Sequence, residues 1–277
     1  MNTVSVLLRG LGAVLALVLA GTTLPAAAVP APASTRADST GAASAKRGTE
    51  TRAPAQPLRG IRIALDPGHQ LGNSRYPRQT SRLVPAGGFR KPCNTTGTST
   101  NRGVAEATVN FRLSRAVKAR LTRLGARVFL TRTTNSLRRW GPCVDARGRF
   151  GERVGARLTV SLHADGAGSS GRGFHVIAPT RREPWTTDIA TASLRLAKAL
   201  RAALVRGGVP RSNYTAGGDG LDLRGDLGTL NLSDVPVAMI EIGNMRNAGD
   251  ARRMTSKAGR ARYAAAVVRG IRTYLRR

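Results

Sequence analysis

Two histidines and two glutamates occupy positions from which they could bind a metal ion and catalyse a reaction beside it. His69 follows an apolar run and an Asp-Pro-Gly turn, while His163 and Glu241 each end an apolar run of their own. Glu106 lies at the start of a segment with helical periodicity. Two imidazoles and one carboxylate, with a coordination position left for water, form a common ligand set for catalytic zinc. A second carboxylate outside that set can act as a general base, so these residues suggest hydrolysis of an amide or peptide bond.

These four side chains meet only if the strands and the helix that carry them end at one place. Apolar runs at 61–66, 126–131, 158–162, 174–177 and 237–241 alternate with helical patterns near 105–124, 144–155, 188–206 and 257–275. Such alternation predicts an α/β fold in a single domain, with a mostly parallel, twisted sheet and helices on both faces. The carboxyl ends of parallel strands share one edge, where ligands bind. We therefore expect all four side chains at that edge, and we expect 70–103 and 217–232 to be loop-rich.

Glu106 has a second interpretation that is independent of metal binding. A carboxylate in the first turn of a helix is favoured by the helix dipole in any case. Glu106 shares a helical face with Asn110, Leu113, Val117 and Leu121, however, because these positions repeat every three or four residues. A carboxylate on the inward face of a helix favours a role in a site.

Other polar residues near the predicted edge receive weaker interpretations. Arg224 and Asp226 lie in the predicted loop region and are candidates for substrate binding. His175 follows Phe174 within a strand and is interpreted as a structural histidine. Asp66 is expected to orient the turn after the first strand or the second ring nitrogen of a ligand histidine.

The N-terminal region has the pattern of an export signal. Arg9 precedes an apolar stretch from Leu11 to Leu19, and small residues around Pro25 offer a cleavage site. We predict a signal peptide at 1–28, a disordered linker rich in Ala, Pro and Ser at 29–58, and a catalytic domain at 59–277. An uncleaved N-terminal anchor is the alternative to a signal peptide. The protein is accordingly expected to be secreted to the cell wall or a periplasm-like space.

The chain contains two cysteines, Cys93 and Cys143. An even pair in a secreted protein predicts a disulfide, which would close a loop of roughly 50 residues. Neither residue belongs to a CxxC motif, which argues against a thiolate zinc site.

The formal net charge is +30, and the basic residues are dispersed along the sequence. Outside a cell, such a charge favours weak attraction to anionic wall polymers. Few aromatic residues accompany the basic ones, and together with the export signal this argues against nucleic acid as a partner. Dispersed charge that merely solvates the surface is an equally good interpretation.

Several motifs in order resemble the Amidase_3 family of zinc-dependent N-acetylmuramoyl-L-alanine amidases, the bacterial autolysins. They are Ile63-Ala-Leu-Asp-Pro-Gly-His69, Glu106 ahead of Val109-Asn110, Gly125-Ala-Arg-Val-Phe-Leu-Thr-Arg132, Ser161-Leu-His-Ala-Asp165, Gly173-Phe174 and Pro236-Val-Ala-Met-Ile-Glu-Ile-Gly243 with Asn247. The resemblance runs from about 59 to the C-terminus and is strongest to compact, secreted actinobacterial members that carry a disulfide.

The resemblance implies a phosphorylase/hydrolase-like fold and one Zn²⁺ per chain, bound by His69, Glu106 and His163. It implies that Glu241 is the general base and that the bond cleaved joins N-acetylmuramic acid to L-alanine of the stem peptide. Peptidoglycan or muropeptide fragments are the implied substrates, and we expect a monomer without stable membrane insertion. The chain departs from the family pattern at Gln70-Leu71-Gly72, at Asp165 and at 243–247, which affects expected substrate contacts rather than the ligand set.

Two other functions are compatible with parts of this pattern. A zinc peptidase that cuts within the stem peptide would need the same four residues. A non-catalytic module that binds the cell wall would need none of them, so their joint presence argues against it.

Overall fold

The structure is a computed structural model, and it describes residues 55–276. Its elements, in chain order, are β1 Arg62–Pro67, α1 Pro77–Ser81, β2 Leu83–Pro85, β3 Arg90–Pro92, α2 Glu106–Arg123, β4 Arg127–Leu130, α3 Val144–Gly148, α4 Phe150–Arg153, β5 Thr159–Asp165, β6 His175–Pro179, α5 Ala190–Arg206, β7 Leu221–Arg224, α6 Gly228–Asn231, β8 Val237–Asn244, α7 Ala248–Thr255 and α8 Lys257–Leu275. The predicted signal peptide and all but the last four residues of the predicted linker lie outside the described residues.

The main sheet has six strands in the order β4-β1-β5-β8-β6-β7. The pairs β1–β4, β1–β5, β5–β8 and β6–β7 are parallel, and β6–β8 is antiparallel. The mostly parallel sheet expected from the sequence is therefore confirmed. The last strand of the chain, β8, lies inside the sheet between β5 and β6.

Helices cover both faces of the sheet, as predicted. On one face α2, α5 and α8 pack over the larger core, to which they contribute Leu113, Leu121, Leu200 and Val267. The opposite face is covered partly by α6, where Leu230 packs against Ile177, Val237 and Met239. Residues alternate between the faces along β8, so Met239 and Glu241 share one face while Ala238 and Ile240 belong to the other. Leu58 is fully buried, and its N–H donates to the Leu124 carbonyl at 2.9 Å.

Two regions that were expected to be loop-rich contain regular structure. The region 217–232 holds β7 at the edge of the sheet and the short α6. The region 70–103 holds α1 and the two-stranded hairpin of β2 and β3. The single helix expected at 144–155 is divided at Arg149 into α3 and α4. These elements have only three to five residues each, too few to show the periodicity by which longer elements are recognised.

The cysteine pairing predicted from the sequence is confirmed. Cys93 and Cys143 form a disulfide that joins the segment after β3 to the residue before α3. Both cysteines pack with Val84 in a small separate core. No helix in residues 55–276 is long and apolar enough to cross a membrane.

Candidate metal centre and catalytic cleft

His69 is held in a strained backbone conformation at the end of β1. Its φ is +56°, in the left-handed region that residues other than glycine rarely occupy. The turn before it is tight, since a Cβ at Gly68 would overlap the ring of His163. The Nδ1–H of His69 donates to the Thr95 carbonyl at 3.0 Å. Its Nε2 lies 3.2 Å from Oε2 of Glu106, and in the neutral ring this nitrogen carries the lone pair that could bind a metal ion.

Glu106 lies in the first turn of α2 and is buried. Its Oε2 accepts from the Thr98 N–H at 3.0 Å, and its Oε1 accepts from the Ala164 N–H at 3.1 Å and from Asn110 Nδ2 at 3.0 Å. Burial alone would raise the pKa of Glu106. The charge of His69 and hydrogen bonds from both histidines outweigh burial and hold this pKa well below its usual value, so the carboxylate is ionised.

His163 completes a cluster of three potential ligands. Its Nδ1 lies 3.1 Å from Oε1 of Glu106, and its ring meets that of His69 edge-on with centroids 4.8 Å apart. The potential ligand atoms of His69, Glu106 and His163 all lie within 4.8 Å of one another. No other group of three or more His, Cys, Asp or Glu residues within 55–276 could hold a metal ion.

The cluster fits a divalent metal ion by its chemistry and by its spacing. Two imidazole nitrogens and one carboxylate are ligands that zinc accepts, and neighbouring ligand atoms of a tetrahedral zinc lie about 3.4 Å apart. The separation of 3.2 Å between Nε2 of His69 and Oε2 of Glu106 is close to that value. Burial lowers the pKa of His69, but the charge of Glu106 and the hydrogen bonds to Glu106 and to the Thr95 carbonyl together outweigh burial and raise this pKa above its usual value. A metal cation bound by the three groups would replace the proton on His69 as the positive charge that balances the carboxylate of Glu106.

Glu241 lies beside the cluster and is not one of its three members. It pairs in register with His163 of β5. Its Oε2 is buried and has no hydrogen-bond partner in the protein. Burial, followed by the charges of Glu106 and Asp165, raises the pKa of Glu241 well above its usual value. A carboxylate with a free oxygen and a raised pKa is suited to accept a proton.

A cavity of about 270 Å³ opens beside His69, His163 and Glu241. The hairpin segment contributes Lys91, Pro92, Asn94 and Thr95 to its walls, α3 contributes Val144 and Arg147, and the α6 region contributes Leu227, Gly228 and Thr229. The cavity therefore combines apolar walls with polar groups near the potential metal site, as small-molecule sites commonly do.

Asp66 acts on the turn rather than on a ligand histidine. It forms an ion pair with Nη1 of Arg147 and accepts from Thr131 Oγ1 and Ser161 Oγ. Burial would raise the pKa of Asp66, but the charges of Arg147 and His163 and the hydrogen bonds from Thr131 and Ser161 together lower it to about 2. Arg147 also donates to the carbonyls of Pro67 and His69 at 2.9 and 2.8 Å. Of the two roles expected for Asp66, only the one in the turn has contacts that support it.

Arg132 connects the same turn to α2. It donates to the carbonyls of Pro67 at 2.9 Å, Gly68 at 3.1 Å and Ala107 at 2.8 Å. Sequence reasoning missed Arg132 and Arg147 as parts of the site. No sequence motif marks these two arginines. Their importance follows only from their burial, because a buried guanidinium group needs several hydrogen-bond acceptors.

Arg224 and Asp226 lie at the rim and do not line the cavity. They form a two-fold hydrogen-bonded pair at 2.8 and 2.7 Å, and Lys91 Nζ donates to the Asp226 carbonyl at 2.8 Å. Lys91 does line the cavity, so the pair supports one of its walls. Substrate binding by Arg224 and Asp226 stays a prediction.

His175 pairs in register with Glu241 from the other side, through β6. It is buried, its Nδ1 has no partner in the protein, and its ring meets that of Tyr214 edge-on at 6.4 Å. Burial lowers the pKa of His175, which keeps the ring neutral. His175 lies outside the three-residue cluster, and the structural role expected from the sequence stays a prediction.

Comparison with protein families finds one matching model, Amidase_3, described as N-acetylmuramoyl-L-alanine amidase, over residues 63–273. Among curated proteins, the N-acetylmuramoyl-L-alanine amidase Rv3717 of Mycobacterium tuberculosis is 40% identical over 222 residues. That alignment covers 79% of this chain and 88% of the relative.

Solved structures give the same result. The crystal structure of the N-acetylmuramyl-L-alanine amidase Ami1 from Mycobacterium smegmatis is 36% identical, with a TM-score of 0.73, and the match covers 79% of this chain and 98% of that one. The apo form of Ami1 from Mycobacterium abscessus is 37% identical, also with a TM-score of 0.73, and the match covers 79% of this chain and all of that one.

Proposed function

Because the chain belongs to the Amidase_3 family of N-acetylmuramoyl-L-alanine amidases, we propose that it hydrolyses the bond between N-acetylmuramic acid and L-alanine with one bound Zn²⁺. The observation that carries the proposal is the convergence of His69, Glu106 and His163 beside the unpartnered carboxylate of Glu241. Peptidoglycan or its muropeptide fragments are the substrates.

His69, Glu106 and His163 would hold the ion. When bound, zinc polarises the carbonyl of the scissile amide and lowers the pKa of the attacking water. The protein contributes the orientation of the ligands. The Thr95 carbonyl fixes the ring of His69, and the Thr98 and Ala164 N–H groups fix the carboxylate of Glu106.

Glu241 is the proposed general base. Its free Oε2 accepts a proton from the attacking water as the water oxygen bonds to the carbonyl carbon. The same carboxyl then donates that proton to the amide nitrogen as the carbon–nitrogen bond breaks. The products are the free lactyl carboxylate of the glycan and a stem peptide with a new amino terminus.

The walls of the cavity suit a substrate that is part sugar and part peptide. Val144, Leu227 and Met239 offer apolar surface, while Asn94 and Thr229 offer hydrogen-bonding groups. We propose that the muramoyl and L-alanine groups occupy this cavity, with Arg224 and Asp226 nearby at the rim.

Product identification together with metal analysis tests the proposal. Purified peptidoglycan is digested and the fragments are identified by mass spectrometry, while the zinc content of the same protein is measured. Intact stem peptides and glycans ending in a free lactyl group support the amidase. Fragments cut within the stem peptide would indicate the peptidase instead, and a zinc-free protein without any cleavage would indicate a binding module.

The place of action is proposed from the N-terminal sequence pattern. A chain exported through the predicted signal peptide at 1–28 would meet its substrate outside the membrane. N-terminal sequencing of the protein recovered from culture medium and cell walls tests export and gives the cleavage position.

A further inference from the structure

We propose that the outer surface of α2, α5 and α8 binds a linear, phosphate-bearing polyanion of the cell wall. We call this surface the basic helical layer and define it by the solvent-facing Lys and Arg residues of these three helices. The choice of a wall polymer as partner rests on the proposed function, whereas the surface itself is a property of the fold.

The charge of α2 is entirely basic on its solvent side. The helix carries Arg112, Arg115, Lys118, Arg120 and Arg123, which are all exposed or half-exposed. Its only acidic residue is Glu106, which lies in the first turn and is buried in the potential metal site. No acidic side chain on α2 therefore offsets the basic ones on its outer surface.

The other two helices of the layer repeat this pattern. The α8 helix packs against both α2 and α5, so the three helices form one continuous surface. Neither α5 nor α8 contains an aspartate or a glutamate. The exposed basic residues are Arg195, Lys198 and Arg206 on α5 and Lys257, Arg262 and Arg269 on α8.

Acidic side chains are present on the surface of the protein, but they lie elsewhere. Glu152 is on α4, Asp145 on α3 and Asp234 in the loop before β8. Two acidic residues lie at the border of the layer, since Asp219 pairs with Arg201 of α5 at 2.9 Å and the exposed Asp188 lies two residues before α5. A surface that only maintains solubility mixes both signs of charge. The segregation of charge seen here is instead the pattern of a polyanion-binding surface.

The chemistry of the layer favours a phosphate polymer over a membrane or a nucleic acid. Of the large apolar side chains that are exposed within 55–276, only Val205 lies on these helices. Membrane-surface helices insert large apolar residues, and single-stranded nucleic acids stack on exposed aromatic ones. The layer presents both arginines and lysines, and both types of side chain bind phosphate oxygens.

The layer lies away from the catalytic cleft. The strand residues beneath the three helices, such as Val176 and Ile240, point to the opposite face of the sheet from Met239, which lines the cavity. A polymer bound on the layer would thus leave the cleft open. Such binding would keep the enzyme on the wall between successive cleavage events, which raises the local substrate concentration.

The test measures co-sedimentation of the full-length protein with insoluble cell walls, on ice and for short times so that cleavage is negligible. Walls that carry phosphodiester-linked polymers are compared with walls stripped of them by hydrofluoric acid. The layer variant is Arg115→Glu/Arg262→Glu. The matched control, Arg78→Glu/Arg157→Glu, makes the same change in net charge at exposed positions outside the layer.

We expect the layer variant to bind untreated walls at least fivefold more weakly, and the slope of log K against log salt to fall by about 2. The control should bind within about twofold of the wild type, and stripped walls should bind all three proteins weakly. Equal binding by the layer variant and the wild type would refute the proposal, as would equal losses in both variants or retention by stripped walls. Binding to phosphatidylglycerol vesicles but not to walls would assign the surface to a membrane instead.

Hydrolysis of a soluble muropeptide separates this proposal from the proposed function. Both double variants should cleave it at the wild-type rate. If no protein, wild type included, cleaves it, the amidase assignment fails, yet the sedimentation result still decides whether the layer binds the wall polymer.

Discussion

Glu241 of β8 stands in direct register with His163 of β5. Because paired residues of adjacent strands lie about 5 Å apart and point to the same face, the backbone itself places the proposed base beside a proposed metal ligand. The register then shifts between His163 and Asp165. Such an irregularity at the end of a strand changes the direction of the following side chains, and it lies at Asp165, one of the positions where the chain departs from the family pattern.

Replacement of Glu241 by glutamine should abolish most of the activity without releasing the metal. The amide is similar in shape but cannot accept the proton, so we expect kcat to fall by about 10²–10⁴-fold. Zinc content and thermal stability should stay near those of the wild type. Glu152→Gln, on the exposed surface of α4, is the control. Rapid muropeptide cleavage by the Glu241→Gln variant would show that another group is the base.

Replacement of Glu106 should remove the metal and the activity together. Glu106→Gln loses the negative charge at the centre of the cluster, so zinc affinity should fall by at least about 100-fold. Asn110→Ala keeps the carboxylate but removes the hydrogen bond from Asn110 Nδ2 to Oε1 of Glu106, and a loss of roughly 10-fold in zinc affinity is expected. Competition with a fluorescent chelator measures both affinities. Full zinc occupancy of the Glu106→Gln variant in the presence of the chelator would contradict the ligand assignment.

Asp66 should make folding stability depend on pH in the acid range. Its pKa is lowered from 3.8 to about 2 in the folded protein, so its contribution is complete above pH 3.8 and is lost as the pH falls towards 2. The size of that contribution is about 2 kcal/mol. Urea unfolding from pH 6 to about 2 should show this loss in the wild type.

In the Asp66→Asn variant the same titration should be flatter by about 2 kcal/mol. At pH 6 this variant should be less stable by about 3–5 kcal/mol, because Arg147 stays buried without its partner. Asp234→Asn, at an exposed position, serves as the control. An unchanged pH dependence in Asp66→Asn would assign the acid sensitivity to other groups.

Loss of the disulfide should lower the stability of the fold and weaken substrate binding in the cleft. The bond spans a sequence separation of 50, for which chain entropy predicts roughly 4 kcal/mol of stabilisation. The neighbours Pro92, Asn94 and Val144 line the cavity, so KM should also rise in Cys93→Ser/Cys143→Ser. Urea unfolding and muropeptide kinetics measure the two effects. A reducing agent should affect the wild type in the same way and leave the double variant unchanged.

The long elements were predictable from the sequence because their patterns are strong. The apolar positions of α2, at Leu113, Val117 and Leu121, repeat with the period of a helix and are buried as expected. The β5 and β8 strands begin as the apolar runs expected from the sequence, and they continue through His163 and Glu241 to Asp165 and Asn244. The parallel order of those strands then sufficed to bring the two side chains to one edge.

The missed elements lack such a signal. The β7 strand has the sequence Leu-Asp-Leu-Arg and lies at the edge of the sheet, where only one of its sides pairs. The antiparallel direction of β6 could not be predicted either, since its connections do not specify which neighbour it joins. The backbone donors that hold Glu106, from Thr98 and Ala164, carry no mark in the sequence, because every residue except proline offers an N–H group.

The clustering of basic residues is visible in the fold but not in the sequence. Along the sequence the basic residues appear dispersed, whereas in the fold those of three separated helices share one surface. Only the packing of α8 against both α2 and α5 reveals this, since these helices are far apart in the chain.

The position of β8 has a consequence for when the enzyme can first act. This strand is the last one made, yet it fills the place between β5 and β6 and carries Glu241. A nascent chain that has not yet released β8 has a sheet divided into two unconnected halves and lacks the proposed base. The same strand therefore joins the two halves of the sheet and supplies the proposed base, so a chain in which β8 is not yet inserted lacks both at once.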